Sequence, residues 1–206
     1  MRIGLYFGSF NPIHEGHIFV VHKALETDID KLFLVVSPQS PFKPLSELAS
    51  FNDRLSMAKI AIKSHNLVDK VEAVDWEEYM YPSYTAHTLQ KDVPVLRENE
   101  VTIFMGLDNF LTIDKWKEPD YILENYYIHI IPRGDINEVK DLIKNKISFL
   151  KENVTINIKG ITYSEIEHTI DISATEIRNR IKNNEEIGNI IDKKVLEYIK
   201  ENKLYN

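Results

Sequence analysis

Short apolar runs rich in β-branched and aromatic residues recur along the chain, and stretches with helical spacing separate them. The clearest runs, which predict strands, are residues 3–7, 32–36, 71–76, 101–105 and 127–131, with a weaker one over residues 154–158. Helical spacing predicts three helices through Ile18, Val21 and Leu25, through Leu55, Ala58 and Ile62, and through Val139, Leu142 and Ile143. Two more helices are predicted near the C-terminus, over residues 174–181 and around residues 195–199.

This alternation of strands and helices predicts an α/β fold, namely a single Rossmann-like, doubly wound domain whose mainly parallel sheet is flanked by helices. No linker-like stretch divides the sequence, so we expect one domain over residues 1–206 and interpret residues 37–44 as a functional loop. In such sheets ligands bind beyond the carboxyl ends of the strands, where the strand order reverses. The residues that directly follow each strand are therefore the first candidates for chemistry.

The composition narrows the class of protein. The 206 residues are 43% hydrophobic and 28% charged, as in soluble globular proteins, and no apolar stretch has the length of a transmembrane helix. Cysteine is absent and the first residues predict a strand rather than a signal peptide, so we expect a cytoplasmic protein without disulfides. The formal charge of −7 argues against a protein that coats nucleic acid. The composition leaves open whether the chain forms a homo-oligomer.

The strongest local signal is segment 8–17, Gly-Ser-Phe-Asn-Pro-Ile-His-Glu-Gly-His, between the first predicted strand and the first predicted helix. Gly8 permits a tight turn and lets a ligand approach the backbone, and Asn11-Pro12 is turn chemistry that closes the loop. Exposed amides where the helix starts, together with the helix dipole, make an anion site. The segment therefore predicts a phosphate-binding turn.

Two histidines of this segment, His14 and His17, are three residues apart and would share a face in a first helical turn, with Gly16 leaving space beside the backbone. Two imidazoles can donate hydrogen bonds to phosphate oxygens without a permanent positive charge. Each histidine could instead cap the helix or pack in the core, and the pair could begin a zinc site, although no cysteine is available for one. The strand and the glycine turn before them favour phosphate binding.

A second segment, residues 172–178 (Ile-Ser-Ala-Thr-Glu-Ile-Arg), opens a predicted helix near the C-terminus. Ser173 and Glu176 match a capping box with Ser173 as the N-cap, which is a structural role. That role does not account for Thr175 and Arg178, which lie three residues apart on one face of the first turn. A hydroxyl, helix amides and a guanidinium would together bind the β- and γ-phosphates, so we expect capping and phosphate binding at the same place.

The first segment resembles the signature of the nucleotidyltransferase superfamily with the His-x-Gly-His motif. The second resembles that superfamily's Ile-Ser-Ser-Thr-x-Ile-Arg motif, with Ala174 where serine is usual. The resemblance implies that His14, His17 and Arg178 are catalytic, the two histidines binding the triphosphate and stabilising charge at the α-phosphorus. The ATP-binding residues that it implies are Gly8, Ser9, Phe10, His14, Gly16, His17, Gly106, Asp108, Ser173, Thr175 and Arg178.

Two segments in the middle of the chain carry candidates for binding an acceptor. Lys43 lies on a Pro-braced loop after the second strand, where a phosphate contact competes with the ordinary role of a solvated charge. Tyr84 and Thr85 stand at a predicted helix start, where Ser83 could be only an N-cap. Arg133 follows the fifth strand and is a weaker candidate.

A third group follows the fourth strand. Asp108 comes two residues after Gly106, and a carboxylate in that position suits ribose hydroxyls, although it could also be a plain N-cap. Trp116 suits stacking on a heteroaromatic ring, although an indole is also a common core filler. Arg54, in the second predicted helix, is another weaker candidate.

The Ser-Tyr-Thr group, the Gly-x-Asp group and the tryptophan after it resemble the pattern of the nicotinate-mononucleotide adenylyltransferase family of bacterial NAD synthesis, over essentially the whole chain. The resemblance implies adenylyl transfer from ATP to nicotinate mononucleotide, with Mg²⁺ held mainly by the ATP phosphates. The acceptor-binding residues that it implies are Lys43, Tyr84, Thr85, Trp116 and Arg133. Among these the lysine would contact the mononucleotide phosphate, and Tyr84, Thr85 and Trp116 would hold the nicotinate. His87 stands where an acidic residue is common in that family.

Two other functions stay open at the level of the sequence. Pantetheine-phosphate adenylyltransferases share both motifs, although they are usually shorter and their pattern does not require the Ser-Tyr-Thr group or Trp116. A nucleotide sensor that has lost turnover would share the fold, although both motifs here retain their reactive side chains. The choice between nicotinate and nicotinamide is also open, with helix-start amides at Tyr84 and Thr85 favouring the carboxylate of nicotinate.

Overall fold

A computed structural model describes residues 1–39, 48–132, 136–153, 157–166 and 172–206, with side chains from residue 139 onward in the third of these ranges. Within these ranges the strands form one six-stranded sheet in the order β3-β2-β1-β4-β5-β6, with all neighbours parallel. The strands are β1 (Arg2–Gly8), β2 (Lys31–Val36), β3 (Val71–Val74), β4 (Glu100–Gly106), β5 (Tyr127–Ile131) and β6 (Gly160–Tyr163). The predicted α/β fold with its parallel sheet is confirmed.

Helices cover both faces of this sheet. They are α1 (Glu15–Leu25), α2 (Phe51–Ser64), α3 (Thr85–Gln90), α4 (Pro94–Arg97), α5 (Leu107–Leu111), α6 (Pro119–Asn125), α7 (Ile136–Asn153), α8 (Ala174–Lys182) and α9 (Lys193–Glu201), with a 3₁₀ turn at Ile113–Lys115. Side chains of α1, α2, α8 and α9 form the apolar core on one face, and those of α3 to α7 form the core on the other. Within the described ranges, every helix is too short or too polar to span a bilayer.

Strand β1 shows how the sequence builds both cores at once. Alternate residues of a strand point to opposite faces of its sheet, so Ile3 and Leu5 are buried on the α3–α7 face, while Tyr6 is buried on the α1 face. Both neighbours of β1 pair with it in parallel, and the strand order reverses between β1 and β4. The loop after Gly8 and the start of α5 after Gly106 therefore leave the sheet side by side, at the position where this class of fold binds ligands.

The weaker strand predicted over residues 154–158 is not a strand in its described part, residues 157 and 158. Residues 154–156 lie outside the described residues, and Ile158 packs partly buried against the core without joining the sheet. The sixth strand of the sheet is β6, which begins two residues after Ile158. Its first residue, Gly160, pairs with Tyr127 of β5. A Cβ at Gly160 would lie 2.9 Å from the Tyr127 ring, so glycine is needed for this pairing, whereas glycine in a sequence usually indicates a break in a strand.

Candidate active site

His14 and His17 lie together where the loop after β1 enters α1. His14 is the N-cap of α1 with an extended backbone (φ −149°, ψ 173°), so it precedes the first turn that was predicted to contain it. Its Nδ1 accepts a hydrogen bond from the Gly16 amide at 3.1 Å, and the Nδ1 of His17 accepts one from the His14 amide at 3.2 Å. The ring centroids are 3.8 Å apart. The capping interpretation of His14 is thus correct, and capping is also what brings the two imidazoles together.

The same two hydrogen bonds assign the tautomer of both rings. A nitrogen that accepts a hydrogen bond from a backbone amide carries a lone pair, so neutral His14 and neutral His17 hold their proton on Nε2. Both imidazoles are therefore set up as Nε2–H donors. That is the protonation state in which an uncharged histidine can bind a phosphate oxygen.

The glycines and Phe10 of this loop support the histidines. A Cβ at Gly16 would lie 2.9 Å from Cε1 of His14, so the space beside Gly16 is filled by the His14 ring. A Cβ at Gly8 would lie 2.8 Å from the ring of Phe10. Phe10 is 1% exposed and packs edge-on against His17, with ring centroids 5.1 Å apart. Any contact of Phe10 with ATP would therefore come from its backbone, because its side chain lies under His17.

The second motif begins α8. Ser173 is the N-cap, and its hydroxyl accepts a hydrogen bond from the Glu176 amide at 3.1 Å, as predicted. The other half of the expected capping box is replaced, because the Glu176 carboxylate pairs with Arg180 at 2.5 Å. Arg178 donates to the Thr175 hydroxyl at 3.2 Å, so these two side chains do share a face of the first turn.

Asn11 joins the two motifs. Its backbone carbonyl accepts a hydrogen bond from Arg178 at 3.0 Å, across 167 residues of chain. Its side-chain Oδ1 accepts from the Ala49 amide at 3.0 Å and from the Tyr205 hydroxyl at 2.8 Å. Sequence reasoning assigned Asn11 only to a turn, and its place inside the first motif was the one available signal for a larger role.

Arg54 does not belong to the ligand site that its sequence position suggested. It is 1% exposed in α2, and burial lowers the pKa of its guanidinium. Its guanidinium donates hydrogen bonds to four backbone carbonyls, those of Ser9, Ser37, Pro38 and Ala49. Arg54 therefore holds together the loops that follow β1 and β2, which is a structural role in support of the site.

Gly106 is the last residue of β4, and Asp108 lies in the helix that follows, next to the phosphate loop after β1. The N-cap of α5 is Gly106, so Asp108 lies within the first turn, where it is exposed, and the N-cap interpretation of Asp108 was wrong. A Cβ at Gly106 would meet nothing within 4 Å. Neither packing nor backbone conformation therefore requires a glycine at this position. The space beside Gly106 is open, so a ligand can approach the backbone there.

Tyr84 and Thr85 stand at the start of α3, as predicted. Tyr84 is the N-cap and makes no side-chain capping bond, whereas Ser83 is buried and its hydroxyl and amide both donate to the Gln39 carbonyl. Ser83 therefore ties this helix start to the segment after β2, and the prediction of Ser83 as N-cap was wrong.

The segment that follows Trp116 is connected to this helix by two polar contacts of Glu118. Trp116 is half-buried directly after the 3₁₀ turn, and Glu118 follows two residues later. The Glu118 carboxylate lies 3.7 Å from His87 and accepts a hydrogen bond from Gln90 at 2.7 Å, both on α3. His87 also packs on Tyr84 with ring centroids 5.3 Å apart. The residues predicted to hold the nicotinate are thus linked on one side of the sheet.

Two candidates, Lys43 and Arg133, lie outside the described residues. Among the residues that are described, no group of three or more His, Cys, Asp or Glu side chains could hold a metal ion.

A match to a known protein family indicates the class of enzyme to which this fold and site belong. A family model described as cytidylyltransferase-like matches residues 5–180, a span that includes both histidines and Arg178. The fold and the site thus define a nucleotidyltransferase, and the chain is an enzyme of that class.

Relatives narrow the class to a family. A probable nicotinate-nucleotide adenylyltransferase of Flavobacterium johnsoniae is 35% identical over 207 residues, which cover 100% of this chain and 99% of that protein. One from Cytophaga hutchinsonii is 35% identical over 208 residues, covering 100% of this chain and 99% of that protein. The chain belongs to the nicotinate-nucleotide adenylyltransferase family.

A solved structure shares the fold. Plasmodium falciparum nicotinic acid mononucleotide adenylyltransferase, complexed with NaAD, superposes with a TM-score of 0.80 at 23% identity, covering 99% of this chain and 97% of that chain.

Proposed function

We propose that this chain transfers the adenylyl group of ATP to nicotinate mononucleotide, giving nicotinate adenine dinucleotide and pyrophosphate in NAD biosynthesis. The family supports the reaction. The observation that carries the residue roles is the hydrogen bond from Arg178 to the Asn11 carbonyl, because it brings the start of α8 against the histidine loop. Two sets of phosphate donors then face the edge of the sheet where the strand order reverses.

The triphosphate lies between these two sets. His14 and His17 donate from Nε2 to oxygens around the α-phosphorus, and Ser173, Thr175 and Arg178 at the start of α8 bind the outgoing pyrophosphate. The open space at Gly106 and the exposed carboxylate of Asp108 suit the ribose.

The acceptor lies on the α3 side of the same edge. Tyr84, Thr85 and Trp116 hold the nicotinate ring, and the amides at the start of α3 favour its carboxylate. In this proposal Lys43 binds the mononucleotide phosphate, and Arg133 is a weaker candidate for binding the acceptor.

The chemistry needs no general base. The phosphate of the acceptor is already an anion at neutral pH, and one of its oxygens attacks the α-phosphorus of ATP in line. A new P–O bond forms at the α-phosphorus as the bond from that phosphorus to the α,β-bridging oxygen breaks, and pyrophosphate leaves with this oxygen and the electron pair. Catalysis is then positioning together with neutralisation of charge on phosphate oxygens, which the two histidines and Arg178 supply.

In this proposal a Mg²⁺ ion would arrive with ATP. Such an ion takes most of its ligands from phosphate oxygens and water, and neutralises part of the charge of the triphosphate.

The direct test measures pyrophosphate release with ATP and Mg²⁺ in the presence of nicotinate mononucleotide, nicotinamide mononucleotide or phosphopantetheine. We expect release with nicotinate mononucleotide and much slower release with the other two. Release that is fastest with phosphopantetheine would overturn the acceptor assignment and leave the two phosphate motifs in place. Binding of ATP without release for any acceptor would indicate a sensor.

Replacing His17 by alanine should lower kcat about a hundredfold or more, because one transition-state donor is lost. The matched control is His22→Ala, an exposed histidine in the last turn of the same helix, which should keep wild-type turnover. Both variants are assayed well below their unfolding temperature, because His17 also caps α1. Unchanged turnover in His17→Ala would remove this residue from the chemistry.

A further inference from the structure

The end of the chain returns to the active site. After α9 the backbone turns back through left-handed conformations at Lys203 (φ 52°) and Tyr205 (φ 66°). This turn places the Tyr205 hydroxyl 2.8 Å from Oδ1 of Asn11, across 194 residues of chain. Burial raises the pKa of Tyr205, so the hydroxyl stays protonated and acts as the donor. A residue next to the C-terminus therefore donates a hydrogen bond into the phosphate loop.

Asn11 connects Tyr205 to Arg178. Asn11 is 3% exposed, and its Oδ1 is held from two sides by the Tyr205 hydroxyl and the Ala49 amide. With the side chain fixed in this way, the backbone carbonyl of the same residue points at Arg178, which donates to it at 3.0 Å. The Arg178 guanidinium also donates to Thr175. The orientation of the Arg178 guanidinium thus depends on the carbonyl of Asn11, and Tyr205 anchors Asn11.

We propose that Tyr205 is a positioning residue for adenylyl transfer, whose hydroxyl fixes Asn11 and thereby the orientation of Arg178 toward the phosphates of ATP. This inference rests on the proposed function, because it assigns to Arg178 the binding of the outgoing pyrophosphate. The inference concerns the binding of ATP and not the binding of the acceptor. Tyr84 and Thr85 at the start of α3, and Trp116 after the 3₁₀ turn, have no part in this chain of contacts, so binding of the acceptor should not depend on Tyr205.

Tyr198 provides a matched control in the same segment. Its hydroxyl donates to the Asp53 carboxylate at 3.0 Å and joins α9 to α2. Both tyrosines thus donate a hydrogen bond from the C-terminal segment, but that of Tyr198 ends on a side chain of α2 and not on Asn11, the residue that holds Arg178. A purely structural role of the C-terminal segment would make Tyr198→Phe and Tyr205→Phe equivalent.

The experiment compares Tyr205→Phe and Tyr198→Phe in steady-state kinetics, thermal unfolding and ATP titration by calorimetry. For Tyr205→Phe we expect kcat/KM for ATP to fall about tenfold, the size of effect that loss of one hydrogen bond produces, with KM for the acceptor within about twofold of wild type. For Tyr198→Phe we expect wild-type kinetics for both substrates. A second pair, Arg178→Lys with and without Tyr205→Phe, should show no further loss from the tyrosine change, because the effect acts through Arg178.

Three results would overturn the inference. They are wild-type ATP kinetics in Tyr205→Phe, equal losses in both tyrosine variants, and a full additional loss in the Arg178→Lys background. Failure of the proposed function looks different, because wild-type protein would then release no pyrophosphate with nicotinate mononucleotide. In that case the calorimetric ATP affinities of the two tyrosine variants still decide the role of Tyr205.

Discussion

Glu77 is a buried acid that neither phosphate motif uses. It is 1% exposed, its Oε1 accepts a hydrogen bond from the Thr88 hydroxyl of α3, and it therefore connects the segment after β3 to the helix that carries Thr85. Burial raises the pKa of the Glu77 carboxyl above its usual range, although the hydrogen bond from Thr88 and the charge of Lys91 act against that rise. Ionisation of this group therefore costs folding free energy.

The sign of the resulting pH dependence follows from linkage. The folded protein holds the Glu77 proton more tightly than the unfolded chain, so this group favours folding fully below the unfolded pKa of 4.5. That contribution is lost as pH rises through the raised folded pKa. Glu77→Gln keeps the shape and the acceptor but cannot ionise. We expect its free energy of unfolding, relative to wild type, to increase as pH rises from 5 to 8.

Urea unfolding followed by tryptophan fluorescence at several pH values measures this difference. Glu124→Gln is the control, because it removes one exposed carboxylate from α6 without changing a buried site. A relative stability of Glu77→Gln that stays flat with pH, or that falls as pH rises, would mean that burial does not dominate the titration of Glu77.

At the scale of one element, the start of helix α1 holds the histidine pair, with His14 as N-cap and His17 in the first turn, and Gly16 is the residue that leaves room for the His14 ring. Alanine favours the helix interior over glycine by about 1 kcal/mol, but its Cβ would lie 2.9 Å from the His14 ring. The ring is the mobile partner, so Gly16→Ala should displace His14 while leaving the fold intact. We expect kcat to fall at least about tenfold, with a change in unfolding free energy of about 1 kcal/mol or less.

A double-mutant cycle checks that the loss acts through the imidazole. If Gly16→Ala acts only by moving His14, adding it to His14→Ala should cost nothing further in kcat. Additive losses would show instead that Gly16 has a role of its own, such as giving a ligand access to the backbone.

Helix starts also show where local sequence information is sufficient. Ser173 caps α8 as predicted, since an N-cap needs only its own hydroxyl and an amide three residues on. Ser83 and Asp108 have equally suitable side chains but are not the N-caps of α3 and α5. The hydroxyl of Ser83 is taken by the Gln39 carbonyl, and Gly106 is already the N-cap of α5.

For the whole molecule, the pattern of apolar residues was sufficient for five strands, five of the helices and the parallel sheet, because periodicity reports which face of an element is buried. The two phosphate motifs were also recognisable, since each is local. The contacts that join them were not predictable. The bonds of Asn11 to Arg178 and Tyr205, and the clamp that Arg54 makes on Ser9, connect distant parts of the chain and exist only once the sheet is assembled.

Because both cores share one sheet, we expect them to unfold together. Ile199 of α9 is 1% exposed on one face, whereas Trp76 and Trp116 pack on the opposite face. Ile199→Ala should cost about 2 to 5 kcal/mol, and far-UV circular dichroism and tryptophan fluorescence should report the same lowered midpoint if residues 1–206 form one domain. Leu142→Ala on α7, where the side chain is 45% exposed, should leave the midpoint nearly unchanged. The two faces would unfold independently if Ile199→Ala left the midpoint of the fluorescence transition unchanged while the circular dichroism transition split into two steps.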